Sequence, residues 1–354
     1  MKDRAESSAP PRTWHHCRVP GAGVGFRVSF NGLMLDLAAV RAARERISGR
    51  IHLTPVLSAR RLGDQVGVRL VLKCENLQKT GSFKARGALN KLIGLAEAGQ
   101  NNGAGVVTFS AGNHAQSLAW ASRAAGVHAV VVMPAAASPA KVEASRGYGA
   151  EVILHGANGM EALDHARQLE RERGLIFVHP FDDELVAAGQ GTTALELLEQ
   201  AGNGELDVVV IPVGGGGLIA GMLVAIKETN PRIRVYGVEP VGAAAMRRSM
   251  DAGRAERLSA VSTIADGLAA PMAGELNYEI VKRYVDDILL VPDEAIAEAM
   301  KDLLLSAKLL AEPAGAAATA AVLTRAVPLR DGDRVAAVVS GGNVDIAKLV
   351  STIG

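Results

Sequence analysis

A lysine stands at the start of a predicted helix in the segment KTGSFKARGA, residues 79–88. Apolar residues recur from Ala85 onward with the spacing of a buried helix face, and Ser82 or Thr80 is the predicted N-cap. This arrangement places Lys84 in the first helical turn, where the positive end of the helix dipole disfavours a cation by roughly 0.3–1 kcal/mol. The position is therefore unfavourable for an ordinary charged lysine.

Other charged residues crowd the same segment. Four cations, Lys73, Lys79, Arg86 and Lys91, lie near Lys84 in sequence, with Glu75 as the acid closest to them. Neighbouring cations, a helix N-terminus and burial all lower the pKa of an amine, and a lysine attacks a carbonyl only when it is neutral. Lys84 is thus a candidate nucleophile, although a lysine taken alone is more often a surface or salt-bridged residue.

A run of four glycines, residues 214–217, joins the predicted strand VVVIPV to the predicted helix LIAGMLVAI. Without Cβ atoms, backbone N–H groups can close around a phosphate at the positive end of the helix. The same run could also be a tight packing turn. Gly215, Gly217 and Ala220 fit the spacing G-x-G-x-x-A, and Glu239 ends the next predicted strand, so a dinucleotide site is a third possibility.

Two more loops rich in small polar residues follow predicted strands. They are SAGNH at residues 110–114 and SGGN at residues 340–343. Ligands of parallel α/β sheets bind outside the carboxyl ends of the strands, where such loops lie. A reactive lysine combined with a phosphate loop suggests pyridoxal 5′-phosphate as the cofactor.

Short β-branched runs alternate with amphipathic helices along most of the chain, which predicts an α/β protein with parallel sheets. We expect a small domain at residues 106–183 and a large cofactor-binding domain built from residues 34–105 and 184–354. Residues 1–33 lack periodicity, and we expect a disordered extension there.

The composition excludes several classes of protein. The formal net charge is +1, so no overall field attracts nucleic acid or an acidic membrane surface. No apolar run approaches the roughly 20 residues that span a bilayer. Two cysteines make neither a disulfide framework nor a metal-ligand cluster. We therefore expect a cytoplasmic protein that binds neither nucleic acid nor membrane.

Four motifs, TGSFKARGA, SAGNHAQ, VGGGGLIAG and SGGN, occur in this order and resemble those of the serine/threonine dehydratase (threonine ammonia-lyase) family of fold-type-II pyridoxal-phosphate enzymes. The resemblance covers residues 34–354. It implies a two-domain fold like that of the tryptophan synthase β subunit, in which each domain is a mostly parallel sheet flanked by helices.

The resemblance also implies roles for individual residues. Lys84 would bind the cofactor through an imine and move the Cα proton of the substrate. Phe83 would pack against the cofactor ring, Asn113 would bond its 3′-hydroxyl, and Ser340 would meet the pyridine nitrogen. The phosphate would be held by Gly214, Gly215, Gly216 and Gly217. The substrate carboxylate would be held by the loop of Ser110, Ala111, Gly112 and His114.

The expected reaction is elimination of water from L-threonine, L-serine or both, which gives a 2-oxo acid and ammonia. Related serine racemases carry a serine at the position of Ala111, so we expect little racemisation. The alternatives are a lyase for another 3-hydroxy amino acid, such as 3-hydroxyaspartate or a hydroxyectoine breakdown product, and a dinucleotide-binding oxidoreductase.

A metal site is not expected. In this branch of the family a divalent cation can sit beside the residue matching Glu239, but the second carboxylate is replaced by Ala245, and hard cations need several oxygen ligands. We expect an amino-acid substrate as the binding partner and a homodimer or homotetramer as the assembly.

Overall fold

The computed structural model describes residues 35–100, 102–202 and 205–354. The fold given below belongs to the unit Met34–Gly354. The extension predicted at residues 1–33 lies outside the described residues.

Ten strands are assigned within the described residues. They are β1 (Val56–Ser58), β2 (Arg69–Cys74), β3 (Val106–Phe109), β4 (Ala129–Met133), β5 (Glu151–Leu154), β6 (Ile176–Phe177), β7 (Val208–Pro212), β8 (Arg234–Pro240), β9 (Asp287–Val291) and β10 (Arg334–Val339).

The same residues contain thirteen α-helices, besides short 3₁₀ turns and one π turn. They are α1 (Leu37–Ile47), α2 (Arg60–Gln65), α3 (Lys84–Glu97), α4 (Asn113–Ala125), α5 (Pro139–Gly147), α6 (Gly159–Arg173), α7 (Glu184–Gln200), α8 (Gly217–Thr229), α9 (Ala245–Ala252), α10 (Glu275–Tyr284), α11 (Asp293–Asp302), α12 (Pro313–Leu323) and α13 (Ile346–Ile353). No helix in the described ranges is both long enough and apolar enough to cross a membrane.

The strands form two sheets. The larger has the order β1-β2-β10-β7-β8-β9, and the smaller has the order β5-β4-β3-β6. All neighbouring strands are parallel except β1 and β2. The predicted α/β class with mostly parallel sheets is confirmed. The smaller sheet uses strands between residues 106 and 177, and the proposed domain boundaries at 105 and 183 stay a prediction.

Strand β7 illustrates how the strands of the larger sheet are buried on both faces. Val208, Val209, Val210 and Ile211 are all fully buried, and alternate residues join different core clusters on the two faces. Both faces of a parallel sheet are covered by helices, so its strands are continuous apolar runs. Helices α7 and α8 cover one face and are in close contact. A Cβ at Gly221 would lie only 2.0 Å from a backbone oxygen of α7, so this contact requires glycine.

The start of α3 differs from the prediction in one respect. The helix begins at Lys84 without a side-chain cap, and the hydroxyl of Ser82 is buried without a hydrogen-bond partner. Thr80 does not cap the helix either, since its Oγ1 lies 2.8 Å from Ser117 Oγ. Thr80 and Gly81 both have positive φ, at 61° and 73°, so a turn with left-handed backbone precedes the helix.

Candidate active site

The loops that follow three parallel strands, β10, β6 and β7, come together near the beginning of α3. The backbone N–H of Phe83 donates to Ser340 O at 3.1 Å, and Ser82 forms an isolated bridge with Gly341. From the smaller sheet, the loop after β6 supplies Pro180 O, which accepts from Lys84 Nζ at 2.7 Å. Next to it, Phe181 packs against the glycine loop that follows β7. The lysine and the glycine loop are therefore joined through residues 180 and 181.

The amine of Lys84 is partly buried, and this burial lowers its pKa from 10.5 to about 8. Its Nζ lies 5.2 Å from the centre of the Phe83 ring. Burial was one of the three expected causes, whereas the neighbouring cations do not contribute. Of the four, Lys91 pairs with Asp183 at 2.6 Å, and Arg86 and Lys73 are neutralised by buried carboxylates.

Those two cations belong to a buried ion network on the other side of α3. Arg86 donates to Glu75 and to Glu196, and Lys73 donates to Glu196, all at 2.7–2.8 Å. All four residues are buried, and their formal charges cancel. Glu196 comes from α7, more than a hundred residues away in sequence, so the local sequence showed only Glu75 as a counter-charge.

The glycine loop is tightly packed from behind. A Cβ at Gly215 would lie 2.4 Å from the Phe181 ring, and one at Gly216 would lie 2.7 Å from Met246 Cε. Gly216 also has φ of +92°. Close packing against Phe181 and Met246 therefore requires glycine at positions 215 and 216. The loop remains suited to an anion as well, because within the described residues no protein oxygen accepts from the N–H groups of residues 214–217, which lie at the N-terminus of α8.

The dinucleotide interpretation required Glu239 to reach a ribose. Glu239 is fully buried, and its two carboxylate oxygens accept from Met246 N and Arg247 N at 2.8 Å. It therefore caps the start of α9 and does not face a ligand, and burial raises its pKa to about 7. Across the described ranges, no group of three or more His, Cys, Asp or Glu side chains has metal-site geometry.

The loop after β3 forms the start of α4. Ser110 Oγ accepts from Gly112 N at 3.1 Å, whereas no protein oxygen in the described residues accepts from the N–H groups of Asn113 and His114. The His114 ring is buried, and burial together with the Lys84 charge holds its pKa well below the usual range. The imidazole is therefore neutral, and a carboxylate could bind to the free N–H groups beside it. Ala111 is partly buried in the same loop.

The loop after β10 faces Asn113. Ser340 is buried, and its Oγ donates to Ala314 O at 3.3 Å. Asn343 Nδ2 donates to Asn113 Oδ1 at 2.8 Å, and Asn113 Nδ2 donates to Glu312 Oε1 at 2.6 Å. Burial raises the pKa of Glu312 to about 7. Its carboxylate faces Asn113 and makes no capping hydrogen bond to α12.

Sequence reasoning missed three residues that shape this site and left a fourth open. Asn343 stood in the segment SGGN without a role of its own. Glu312, in the segment AEPAGA at residues 311–316, was open between a place near the cofactor and a cap of the following helix. Pro180 and Phe181 had no signal of their own, because they follow β6, which has only two residues. The structure brings the other predicted loops to one edge of the sheets, while their contacts with a ligand stay predictions.

The residues present fit pyridoxal phosphate. Lys84 is an amine of lowered pKa, and the glycine loop offers N–H groups without protein acceptors. Ser340 offers a hydroxyl, whose one hydrogen makes a long 3.3 Å contact with Ala314 O and would turn from it to the ring nitrogen. These three features provide an attachment point, a phosphate cradle and a neutral partner for the ring nitrogen.

Comparison with known proteins identifies similar chains. A family model described as pyridoxal-phosphate dependent enzyme matches residues 47–341. The L-threonine ammonia-lyase of Thermotoga maritima is 44% identical over 313 residues, which are 88% of this chain and 77% of that protein.

Two solved structures are also similar. A threonine deaminase from T.th. is 45% identical with a TM-score of 0.82, covering 88% of this chain and 99% of that one. Maize serine racemase is 38% identical with a TM-score of 0.85, covering 91% and 97%. On the strength of the family match and these identities, the chain belongs to the pyridoxal-phosphate-dependent enzymes.

Proposed function

We propose that this protein is a pyridoxal-phosphate-dependent ammonia-lyase that eliminates water from L-threonine and L-serine. The enamine left by this elimination is hydrolysed by one water molecule to 2-oxobutanoate or pyruvate, with ammonia. The observation that carries the proposal is Lys84, an amine with a pKa of about 8 held at the strand ends beside a glycine loop. The similarity to the threonine ammonia-lyase of Thermotoga maritima and to the T.th. threonine deaminase supports it.

Lys84 acts as the base in this reaction. With a pKa of about 8, about a tenth of the amine is neutral at pH 7, and Pro180 O fixes the direction of Nζ at 2.7 Å. The neutral amine accepts the proton from the substrate Cα. Pyridoxal phosphate, when bound, supplies an electron-withdrawing ring that stabilises negative charge at that carbon.

Ser340 sets how strongly that ring withdraws electrons. A hydroxyl, unlike a carboxylate, does not hold a proton on the ring nitrogen. The weaker withdrawal favours departure of the β-hydroxyl over reactions that need a long-lived carbanion. The glycine loop holds the phosphate group on the N–H groups of residues 214–217.

The substrate carboxylate binds at the start of α4. The N–H groups of Asn113 and His114 are available there, and the helix dipole favours an anion. The neutral His114 ring excludes water from one side without adding a charge. The loop residues Ser110, Ala111 and Gly112 complete this carboxylate site.

The similarity to a threonine ammonia-lyase and a threonine deaminase favours threonine over 3-hydroxyaspartate as the substrate. Ala111 carries no group that could return a proton from the opposite face, which favours elimination over racemisation.

The test is 2-oxo-acid release from a panel of amino acids by the purified holoenzyme. Turnover of L-threonine and L-serine well above that of 3-hydroxyaspartate is the expected result. Lys84→Ala should abolish turnover, whereas Lys301→Ala, on α11, should not. Borohydride reduction followed by peptide mass spectrometry should place the cofactor on Lys84. An active Lys84→Ala enzyme, or cofactor trapped on another lysine, would refute the assignment.

We also propose that the protein works in the cytoplasm as a homodimer or homotetramer. Leu53, Leu77 and Leu310 are 67%, 47% and 43% exposed. Hydrogen bonds from His52 to Gln78 and from Asn76 to Leu310 bring them to one region of the surface. Exposed apolar groups of this kind favour contact between subunits, and analytical ultracentrifugation would measure the assembly.

A further inference from the structure

Three side chains from three separate loops form a hydrogen-bonded relay at the site. Asn343 Nδ2 donates to Thr80 O at 2.7 Å and to Asn113 Oδ1 at 2.8 Å. Asn113 Nδ2 in turn donates to Glu312 Oε1 at 2.6 Å. Asn343 is exposed and Glu312 is buried, so the relay runs from the surface into the site.

The two ends of the relay determine how both amides are turned. Thr80 O is a carbonyl oxygen and can only accept, so Asn343 must direct its NH₂ group toward it. The same NH₂ group meets Asn113, which must therefore direct its oxygen toward Asn343. If Asn113 were turned over, two NH₂ groups would face each other. The NH₂ group of Asn113 therefore points toward Glu312, whose Oε1 accepts from it at 2.6 Å.

The backbone around Glu312 is shaped to admit its carboxylate. A Cβ at Gly341 would lie 2.4 Å from Glu312 Oε1 and 3.2 Å from Asn113 Nδ2. Glu312 N also donates to Gly341 O at 3.1 Å. The glycine at position 341 thus leaves the space that the carboxylate and the Asn113 amide occupy.

An amide nitrogen carries two hydrogens, and Glu312 uses one of those on Asn113. The second has no protein acceptor within the described residues. We propose that Asn343 and Glu312 are positioning residues that force Asn113 to present an N–H group, and not its carbonyl oxygen, to the bound cofactor. This inference rests on the proposed function, in which an oxygen atom of pyridoxal phosphate accepts from Asn113.

The proposal predicts different effects for variants that keep or break the orientation. Asn343→Asp replaces the donor by an acceptor, so Asn113 is expected to turn its NH₂ group toward position 343 and offer an oxygen to the cofactor. Loss of one hydrogen bond and gain of an oxygen–oxygen contact should weaken cofactor binding about tenfold or more. Glu312→Gln keeps an accepting oxygen and should stay within about threefold of the unaltered protein, whereas Glu312→Leu should resemble Asn343→Asp.

The readouts are the dissociation constant of pyridoxal phosphate, from titration of the cofactor-free protein, and the absorption maximum of the bound cofactor in the holoenzyme. Asn343 is exposed, so its replacement should leave thermal unfolding nearly unchanged. Asn230→Asp, at the end of α8, is the control for adding the same charge elsewhere. Weakened binding with a displaced absorption maximum in Asn343→Asp and Glu312→Leu, but not in Glu312→Gln or Asn230→Asp, is the expected pattern.

Two other outcomes separate this inference from the proposed function. If the unaltered protein binds pyridoxal phosphate on Lys84 and releases 2-oxo acid, while Asn343→Asp matches it in affinity and spectrum, the positioning role is wrong and the function stands. If the unaltered protein does not bind pyridoxal phosphate on Lys84, both proposals are overturned.

Discussion

Replacing Lys84 by methionine is expected to stabilise the cofactor-free protein at neutral pH. Burial lowers the pKa of this amine from 10.5 to about 8. At about 1.36 kcal/mol per pKa unit, holding the amine protonated in its folded environment costs about 3 kcal/mol at pH 7. Methionine has a similar length and no charge, but it loses the hydrogen bond to Pro180 O, worth about 1 kcal/mol. The net gain in the free energy of unfolding is about 2 kcal/mol.

The pH dependence distinguishes this cause from better packing. Between pH 8 and 10.5 the unfolded chain holds the proton of Lys84 while the folded protein has released it. The unfolded state therefore binds more protons, and the stability of the unaltered protein rises with pH through this window. By pH 10 the cost has fallen to about 1 kcal/mol, so the advantage of the methionine variant should nearly vanish.

Urea unfolding of both cofactor-free proteins at pH 7 and pH 10 would measure the two differences. Lys301→Met, on α11 away from the site, controls for a general benefit of replacing lysine. A methionine variant that is less stable at pH 7, or whose advantage does not change between the two pH values, would refute the reasoning.

Three further predictions concern the site and its support. Ala111→Ser should raise racemisation of L-serine, measured by chiral chromatography of the remaining substrate, and an unchanged enantiomer ratio would show that the opposite face is closed to the new hydroxyl. Gly215→Ala should weaken cofactor binding at least tenfold, because the new Cβ would lie 2.4 Å from the Phe181 ring; Gly159→Ala, which meets no atom within 4 Å, is the control, and equal affinities would contradict the packing argument. Arg86→Met should lower the free energy of unfolding by about 3–5 kcal/mol, since it leaves two buried carboxylates with one lysine; a loss below about 1 kcal/mol in urea unfolding would show that the network relaxes.

Periodicity predicted the elements whose patterns are local. The runs in β4 and β7 are continuous and apolar, those in β3 and β10 contain one polar residue each, and all four are bounded by polar or glycine-rich turns. Helix α7 was not predicted, because Gly189 and Gly191 weaken its helical pattern. Those glycines permit contact with other backbones: a Cβ at either position would lie 2.6 Å from a backbone atom of α3 or α8. The reason for glycine at positions 189 and 191 is therefore visible only in the tertiary structure.

For the site, too, the sequence showed local patterns but not the contacts between distant segments. Motif spacing placed Lys84, the glycine loop and the two small polar loops correctly at strand ends. It counted the neighbouring cations, beside the helix N-terminus and burial, among the causes of the lowered pKa of Lys84, because the partner of Arg86 and Lys73 on α7 was far away in sequence. Burial and long-range ion pairs are properties of the folded chain, and local composition does not contain them.

The position of β10 has a consequence for how the protein is made. It is the last of the described strands in chain order, yet it lies between β2 and β7 and pairs with both. Until it arrives, β2 and β7 expose open edges, and the Ser340–Asn343 turn that completes the site does not exist. Such non-local pairing slows folding and exposes the growing chain to aggregation. We therefore expect the ribosome-bound chain to need chaperone protection, and to acquire its cofactor only after β10 has been synthesised.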